Sequence, residues 1–234
     1  MRNGIYFSIG PANSVRKSVF TKGNGMGKLT GSCIMVGEIE TNCYLLHAEG
    51  AKEALIVDPG DEARRIRKKL ETEGLTPVAI LLTHGHFDHT LAVGMLRKMY
   101  PGIPVYACLD EKDILSDPYM NASFMGKFEP VAADVWVEEG DELDLAGLHC
   151  KVLHTPGHTI GSICYYFEED KVLVAGDTLF FTGFGRTDLP TGSAAQLRKS
   201  LERLLLTLPE DVIVLPGHGR TTTIGFEKSV EGLA

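Results

Sequence analysis

The sequence predicts an α/β fold, a sandwich in which helices cover the outer faces of β-sheets. Three observations carry this. Apolar runs of strand length alternate loosely with longer amphipathic stretches. Other strand candidates are joined as hairpins across short polar turns. Two near-echoes, "TPGHT" at 155–159 and "LPGHG" at 215–219, hint at two similar halves. Each sheet face and helix stripe must be buried against another layer, which gives the sandwich.

The elements follow in order from about Leu29. "CIMVGEIETNCYLLHA" reads as two strands around a turn, and "EALIVDPG" as a strand ending in a turn. "DEARRIRKKLETEG" is a helix with a charged face, acids at its start and Gly74 as its C-cap. "PVAILLTHGH" is a buried strand running into histidines. "HTLAVGMLRKMY" is a helix stopped by Pro101, and "IPVYAC" is another strand. Residues 117–131 show no period and read as a loop. "LHCKVLHTPGHT" is a strand ending in a turn and a histidine. "ICYYFEEDKVLVAGDTLF" is a hairpin whose second strand ends at Gly176-Asp177. "SAAQLRKSLERLLLTL" is an amphipathic helix, and "DVIVLPGHG" is the last buried strand.

Length and composition set the bounds. A chain of 234 residues with 44% hydrophobic content is one domain with a real core. Residues 1–28 differ: up to Cys33 the chain has basic residues and no acid, and "KGNGMGK" alternates glycines. This segment is expected to be a basic, poorly ordered extension, with residues 29–234 forming the folded domain. An acid-free basic leader also fits a transit peptide, which would make the location organellar; otherwise the cytoplasm is expected. No apolar stretch approaches the roughly 20 residues of a membrane helix. The net charge of −8 does not suit a nucleic-acid binder. The five cysteines (33, 43, 108, 150 and 164) are scattered with no C-x-x-C pair, so a reducing compartment is expected. Oligomeric state is not legible.

The chemistry sits at strand ends. "THGHFDH" packs His84, His86, Asp88 and His89 into six positions, and His158, Asp177 and His218 each follow a later strand near a turn. Alone, each has an ordinary explanation: a turn histidine, a turn aspartate, or Asp88 as the N-cap of the next helix. Jointly those explanations fail, because five of the eight histidines would gather at strand ends by accident. The arithmetic suits two divalent metals: His84, His86 and His158 for one, Asp88, His89 and His218 for the other, with Asp177 bridging. A shared open position is what a catalytic metal site needs. Nitrogen and oxygen ligands suit zinc, iron or manganese and do not identify which; two zinc ions are the expected cofactors, with iron or manganese as alternatives.

These motifs, with "VDPG" at 57–60, "TPGHT", "AGDTLF" at 175–180 and "LPGHG" in that order, resemble the metallo-β-lactamase-fold hydrolases over nearly everything from Leu29 onward. The resemblance implies a four-layer αββα sandwich with the metals at one edge. It is closest to the short, glyoxalase II-like branch, through "ETNCYLL" and "GDTLFFTGFGRTDLPTG". It implies the same metal residues, and it makes Asp58 and Thr83 the groups that orient ligand histidines. Two departures stand out. "DHTLAV" lacks the glycines that often follow this aspartate-histidine pair. No counterpart is expected here for the further helical domain that helps full-length glyoxalase II hold glutathione.

The implied activity is hydrolysis of a small-molecule thioester of the hydroxyacylglutathione type by a metal-bridging hydroxide. Asp88 would be catalytic, orienting the nucleophile and taking its proton. A thiolate with a conjugate-acid pKa of about 8.5 can leave without a general acid. The β-lactamase reading is lowered by Asp177, where one subclass has cysteine and another has no bridging aspartate. "GRTD" at 185–188 also resembles persulfide dioxygenases, so the alternative is a mononuclear iron oxidoreductase of that kind. A non-catalytic metal module is the third reading. Candidate substrate contacts are Tyr119, Met120, Phe124 and Met125 as a flap, and Phe180, Phe181 and Phe184 as pocket lining. Arg186 and Asp188 are expected to pair and brace their loop, with a substrate carboxylate as the other partner for Arg186.

Overall fold

The structure, a computed structural model, describes residues 28–123 and 128–230. Apart from Lys28, the expected extension lies outside the described residues, as do Phe124 and Met125.

Each half of the chain builds one six-stranded sheet. The first runs in simple order through β1 (Leu29–Val36), β2 (Thr41–Ala48), β3 (Glu53–Val57), β4 (Thr76–Leu81), β5 (Val105–Cys108) and β6 (Val135–Val137). The first two pairings are antiparallel hairpins; from β3 onward the strands are parallel. Parallel neighbours need a crossover. Helix α1 (Ala63–Glu73) provides it between β3 and β4, and Gly74, at φ 69°, closes that helix as expected. Between β4 and β5 the expected single helix is split into α2 (Phe87–Thr90) and α3 (Val93–Met99).

The second sheet contains β7 (Glu142–Leu145), β8 (Leu148–His154), β9 (Ile163–Phe167), β10 (Val172–Gly176), β13 (Ile213–Pro216) and β14 (Thr222–Thr223). β10 and β13 are parallel, and α4 (Ala194–Thr207) crosses between them. Ser193 caps α4 by accepting from the Gln196 amide. A two-stranded ribbon, β11 (Leu179–Phe180) and β12 (Gly183–Phe184), follows β10. β13 is not the last element: β14 and α5 (Ile224–Val230) follow it.

Side-chain alternation sorts these elements into four layers. In β3, Leu55 and Val57 join Val152, Tyr165 and Val174 between the sheets, whereas Ala54 and Ile56 pack with Ile66 and Leu70 of α1. In β10, Val172 and Val174 face the first sheet, while Leu173 and Ala175 meet Leu204 and Leu205 of α4. Period two on strands buried on both faces therefore produces the αββα sandwich the motifs imply. Cys43, Cys108, Cys150 and Cys164 are free thiols. No helix among the described residues is long and apolar enough to cross a membrane.

Candidate metal centre

The seven predicted ligands meet at one edge of the sandwich. His84 and His86 follow β4, Asp88 and His89 lie in α2, and His158 follows β8. Asp177 follows β10 and His218 follows β13. Their donor atoms form interlocking groups whose members lie within 4.8 Å of one another: His84 with His86 and His158, His84 with His89 and Asp177, and Asp88 with His89 and His218. Asp177 faces both ends of the cluster. Its Oδ1 is 3.4 Å from His89 Nε2, and its Oδ2 is 3.5 Å from His158 Nε2 and 3.6 Å from His218 Nε2.

Outer partners set the orientation of the rings. His89 Nδ1 donates to Asp58 Oδ2 at 3.0 Å. His158 Nδ1 donates to the Arg186 carbonyl at 2.7 Å, and His218 Nδ1 to the Ile39 carbonyl at 3.2 Å. The Thr83 hydroxyl donates to Asp58 Oδ2 at 2.7 Å, so its oxygen accepts from His84 Nδ1 at 3.1 Å. These assignments follow from the network, since each outer partner accepts. They leave the Nε2 lone pairs of four histidines directed inward, which is the form a ligand histidine needs. His86 differs: its Nδ1 lies 2.9 Å from His158 Nε2.

The electrostatics separate the two ends. Burial holds His84 well below the usual histidine range, helped by the neighbouring histidines. Burial, then His158, brings His86 down to about 3. Both are therefore neutral and able to ligate. At the other end burial also disfavours charge, but carboxylates override it. Asp88, Asp177 and Asp58 push His89 up, and the hydrogen bond to Asp88 raises His218. Conversely, burial would raise Asp88 and Asp177, yet His89 holds both below the usual carboxylate range.

The donor set fits divalent cations. Nε2 of His84, His86 and His89 and Oδ1 of Asp177 are buried and have no hydrogen-bond partner. Each such atom costs about 1–3 kcal/mol. A cation shared among them satisfies several at once, and nitrogen and oxygen donors suit zinc, iron or manganese alike.

The remaining expectations divide. Asp58 and Thr83 sit behind the ligands, as described. Asp88 is not a helix cap: it lies inside α2, where His86 holds the N-cap position without a side-chain bond. Its Oδ2 instead accepts from Thr41 Oγ1 at 3.0 Å. Arg186 supports His158 through its carbonyl, while its guanidinium makes a two-pronged pair with Asp188, bracing the loop on the surface. Phe180 lies edge-on to His218 at 6.1 Å. Phe181 turns away, stacked on Phe226 beneath Arg220. Phe184 and Tyr119 are 53% and 67% exposed, and Met120 is half-buried.

Sequence reasoning missed three residues. Thr41 anchors Asp88 but sits in "ETNCYLL", where nothing distinguishes it from a strand-start threonine. Glu111 and Glu227 are buried acids in charged or polar surroundings. Glu227 accepts the amide of Thr182, the turn residue of the β11–β12 ribbon, with φ 54°. No local signal marks either glutamate as buried.

Comparison with known proteins supports the family and the fold. A model of the metallo-beta-lactamase superfamily matches residues 36–218. The chain is 42% identical over 196 residues to a probable metallo-hydrolase, YqgX, of Bacillus subtilis, covering 82% of this chain and 92% of that one. It is 38% identical over 199 residues to the hydroxyacylglutathione hydrolase GloC of Haemophilus influenzae, covering 83% and 93%. Among solved structures it resembles the B3 metallo-beta-lactamase BLEG-1 (42% identity, TM-score 0.80, covering 86% and 97%). It also resembles TTHA1623 in a di-iron-bound form (35%, 0.76, covering 85% and 97%). A third is ETHE1 from Myxococcus xanthus (32%, 0.71, covering 85% and 81%).

Proposed function

Because the chain belongs to the metallo-β-lactamase superfamily, we propose that it is a dinuclear metal-dependent hydrolase acting on thioesters of the hydroxyacylglutathione type. The observation that carries the reading is the set of buried, partnerless donor atoms facing one volume from separate loops. His84, His86 and His158 would hold one cation, Asp88, His89 and His218 the other, and Asp177 both. Such cations, when bound, supply Lewis acidity, bringing a water toward a pKa of about 7 and polarising a carbonyl.

The chain's own residues do the rest. Asp88 stays ionised, because His89 and the hydrogen bond to His218 outweigh burial. The Thr41 hydroxyl fixes one of its oxygens. An ionised, fixed carboxylate accepts a hydrogen bond from the attacking water and aims it at the thioester carbonyl. Its low basicity suits orientation and brief proton transfer better than storing the proton. The water oxygen bonds to the acyl carbon, the C–S bond breaks, and the thiolate leaves unassisted at its ordinary pKa of about 8.5. Buried Asp58 and Thr83 keep His89 and His84 aligned throughout. The likeness to GloC, named as a hydroxyacylglutathione hydrolase, supports this substrate class.

A second reading, a mononuclear iron oxidoreductase of the persulfide dioxygenase kind, is favoured by "GRTD", whose Arg186 carbonyl holds His158. The di-iron form of TTHA1623 shows that iron suits a relative's site. The test is metal content per chain, beside lactoylglutathione hydrolysis, β-lactam hydrolysis and oxygen uptake with glutathione persulfide. Two metals with thioester hydrolysis are expected. One iron with oxygen uptake, or β-lactam turnover alone, overturns the proposal.

A further inference from the structure

Glu111 has no role in the ligand reading, yet its carboxylate is fully buried. It ends a 3-10 turn, Leu109–Glu111, just after β5. Its Oε2 accepts from the Gly85 amide at 2.6 Å. Its Oε1 accepts from the Gly161 amide at 2.8 Å and from Thr159 Oγ1 at 2.7 Å. Gly85 lies between His84 and His86, and Thr159 directly follows His158. One side chain therefore ties together the two loops that carry the three-histidine group.

The loops are shaped around it. A Cβ at Gly85 would stand 2.9 Å from Glu111 Oε2, and one at Gly161 would stand 2.7 Å from Oε1. Neither loop has room for a side chain where the carboxylate enters. All three polar partners donate and none is a cation, so an acid is held here at a cost that an apolar residue would not incur. Burial accordingly lifts this carboxyl to about 7, against the pull of its hydrogen bonds. The other ligand group has anchors that do not involve Glu111: Asp58 on His89, Thr41 on Asp88 and the Ile39 carbonyl on His218, Asp58 reaching His84 as well through Thr83.

We propose that Glu111 is a positioning residue that sets the metal affinity of the His84–His86–His158 group by fixing the spacing of its two loops. The inference rests on the ligand assignment above. It predicts a one-sided effect: the Asp88–His89–His218 group should not depend on Glu111.

The test is Glu111→Gln, which keeps length and volume. Its amide nitrogen must face either the Gly85 amide or the Gly161–Thr159 pair, donor against donor. Cobalt(II)-loaded wild type, E111Q and H158A are titrated with a chelator, following cobalt absorption and metal retained per chain. H158A should lose one affinity class. E111Q should weaken that same class by about 10- to 100-fold and leave the other unchanged. A lower melting temperature with both classes intact, or equal weakening of both, would overturn the proposal. If H158A loses no class, the ligand assignment fails first and the inference with it. Should E111Q not fold, Thr159→Val removes one donor and should weaken the same class by up to about tenfold. An unchanged class there also overturns the proposal.

Discussion

Replacing Asp58 with asparagine should loosen the metal that Asp88, His89 and His218 are proposed to hold, while leaving the backbone in place. Asp58 has φ 49°, a left-handed conformation that asparagine tolerates better than most residues. The substitution therefore isolates hydrogen bonding from strain. In the native arrangement Oδ1 accepts from the Thr83 amide at 2.8 Å, and Oδ2 accepts from Thr83 Oγ1 at 2.7 Å and His89 Nδ1 at 3.0 Å. An asparagine can turn its amide nitrogen toward His89. That nitrogen donates, so His89 must carry its proton on Nε2, the atom 3.4 Å from both Asp88 Oδ2 and Asp177 Oδ1. A protonated Nε2 cannot ligate. Turned the other way, the amide nitrogen meets the Thr83 amide, donor against donor.

Either orientation forfeits at least one buried, charge-assisted hydrogen bond, about 1.5–3 kcal/mol. At about 1.4 kcal/mol per decade this is roughly a 10- to 100-fold loss of metal affinity. The assay is metal retained per chain across a chelator series, with circular dichroism to establish that the variant is folded. If D58N retains both metals as tightly as wild type, Asp58 does not set the His89 tautomer.

Three further outcomes are expected. His89→Ala should lower metal content from two per chain to one and remove most hydrolysis; a variant that keeps its activity with one metal would favour the mononuclear reading. Arg186→Ala should leave the urea-unfolding midpoint unchanged, because the pair with Asp188 is solvent-exposed; a raised KM for a carboxylate-bearing thioester would instead make Arg186 a substrate contact. In metal-free protein, burial lifts the folded-state Glu111 carboxyl to about 7, against an ordinary 4.5. The folded state then binds the extra proton, so stability falls as pH rises from about 4.5 to 7, by about 3 kcal/mol. Glu111→Gln lacks that fall, and parallel urea-unfolding profiles for the two proteins between pH 5 and 8 would refute the buried-carboxyl account.

The candidate ligands were legible as a cluster because coordination chemistry restricts residue type, and strand ends restrict place. "THGHFDH" could be read without any knowledge of packing, whereas Asp58 in "VDPG" is reached only through the family resemblance, since its residues alone fit a plain turn aspartate. Glu111 could not be: "LDEKD" holds four charged residues, and only tertiary packing buries one of them. The ribbon of β11 and β12 and the strand β14 have two residues each, too few to show any period. Phe181 looked equivalent to Phe180, but the Thr182 turn, held by Glu227, points the two rings in different directions.

Neither sheet can build the centre alone. The first supplies His84, His86, Asp88 and His89, and the second supplies His158, Asp177 and His218. At that edge the sheets are joined by specific polar bonds as well as by apolar packing. Tyr165 donates to the Leu82 carbonyl at 3.0 Å, two residues before His84. Tyr44 donates to the Pro216 carbonyl at 2.7 Å, and Asn42 Nδ2 to the same carbonyl at 3.0 Å, two residues before His218. Each bond fixes a ligand-bearing loop of one sheet to a strand of the other. Apolar layers can slide at modest cost, whereas a buried hydroxyl that loses its carbonyl is penalised at once. The register between the sheets, and with it the separation of the ligands, is therefore held by these tyrosines and Asn42. A change that loosens the interface should release metal before it unfolds either sheet.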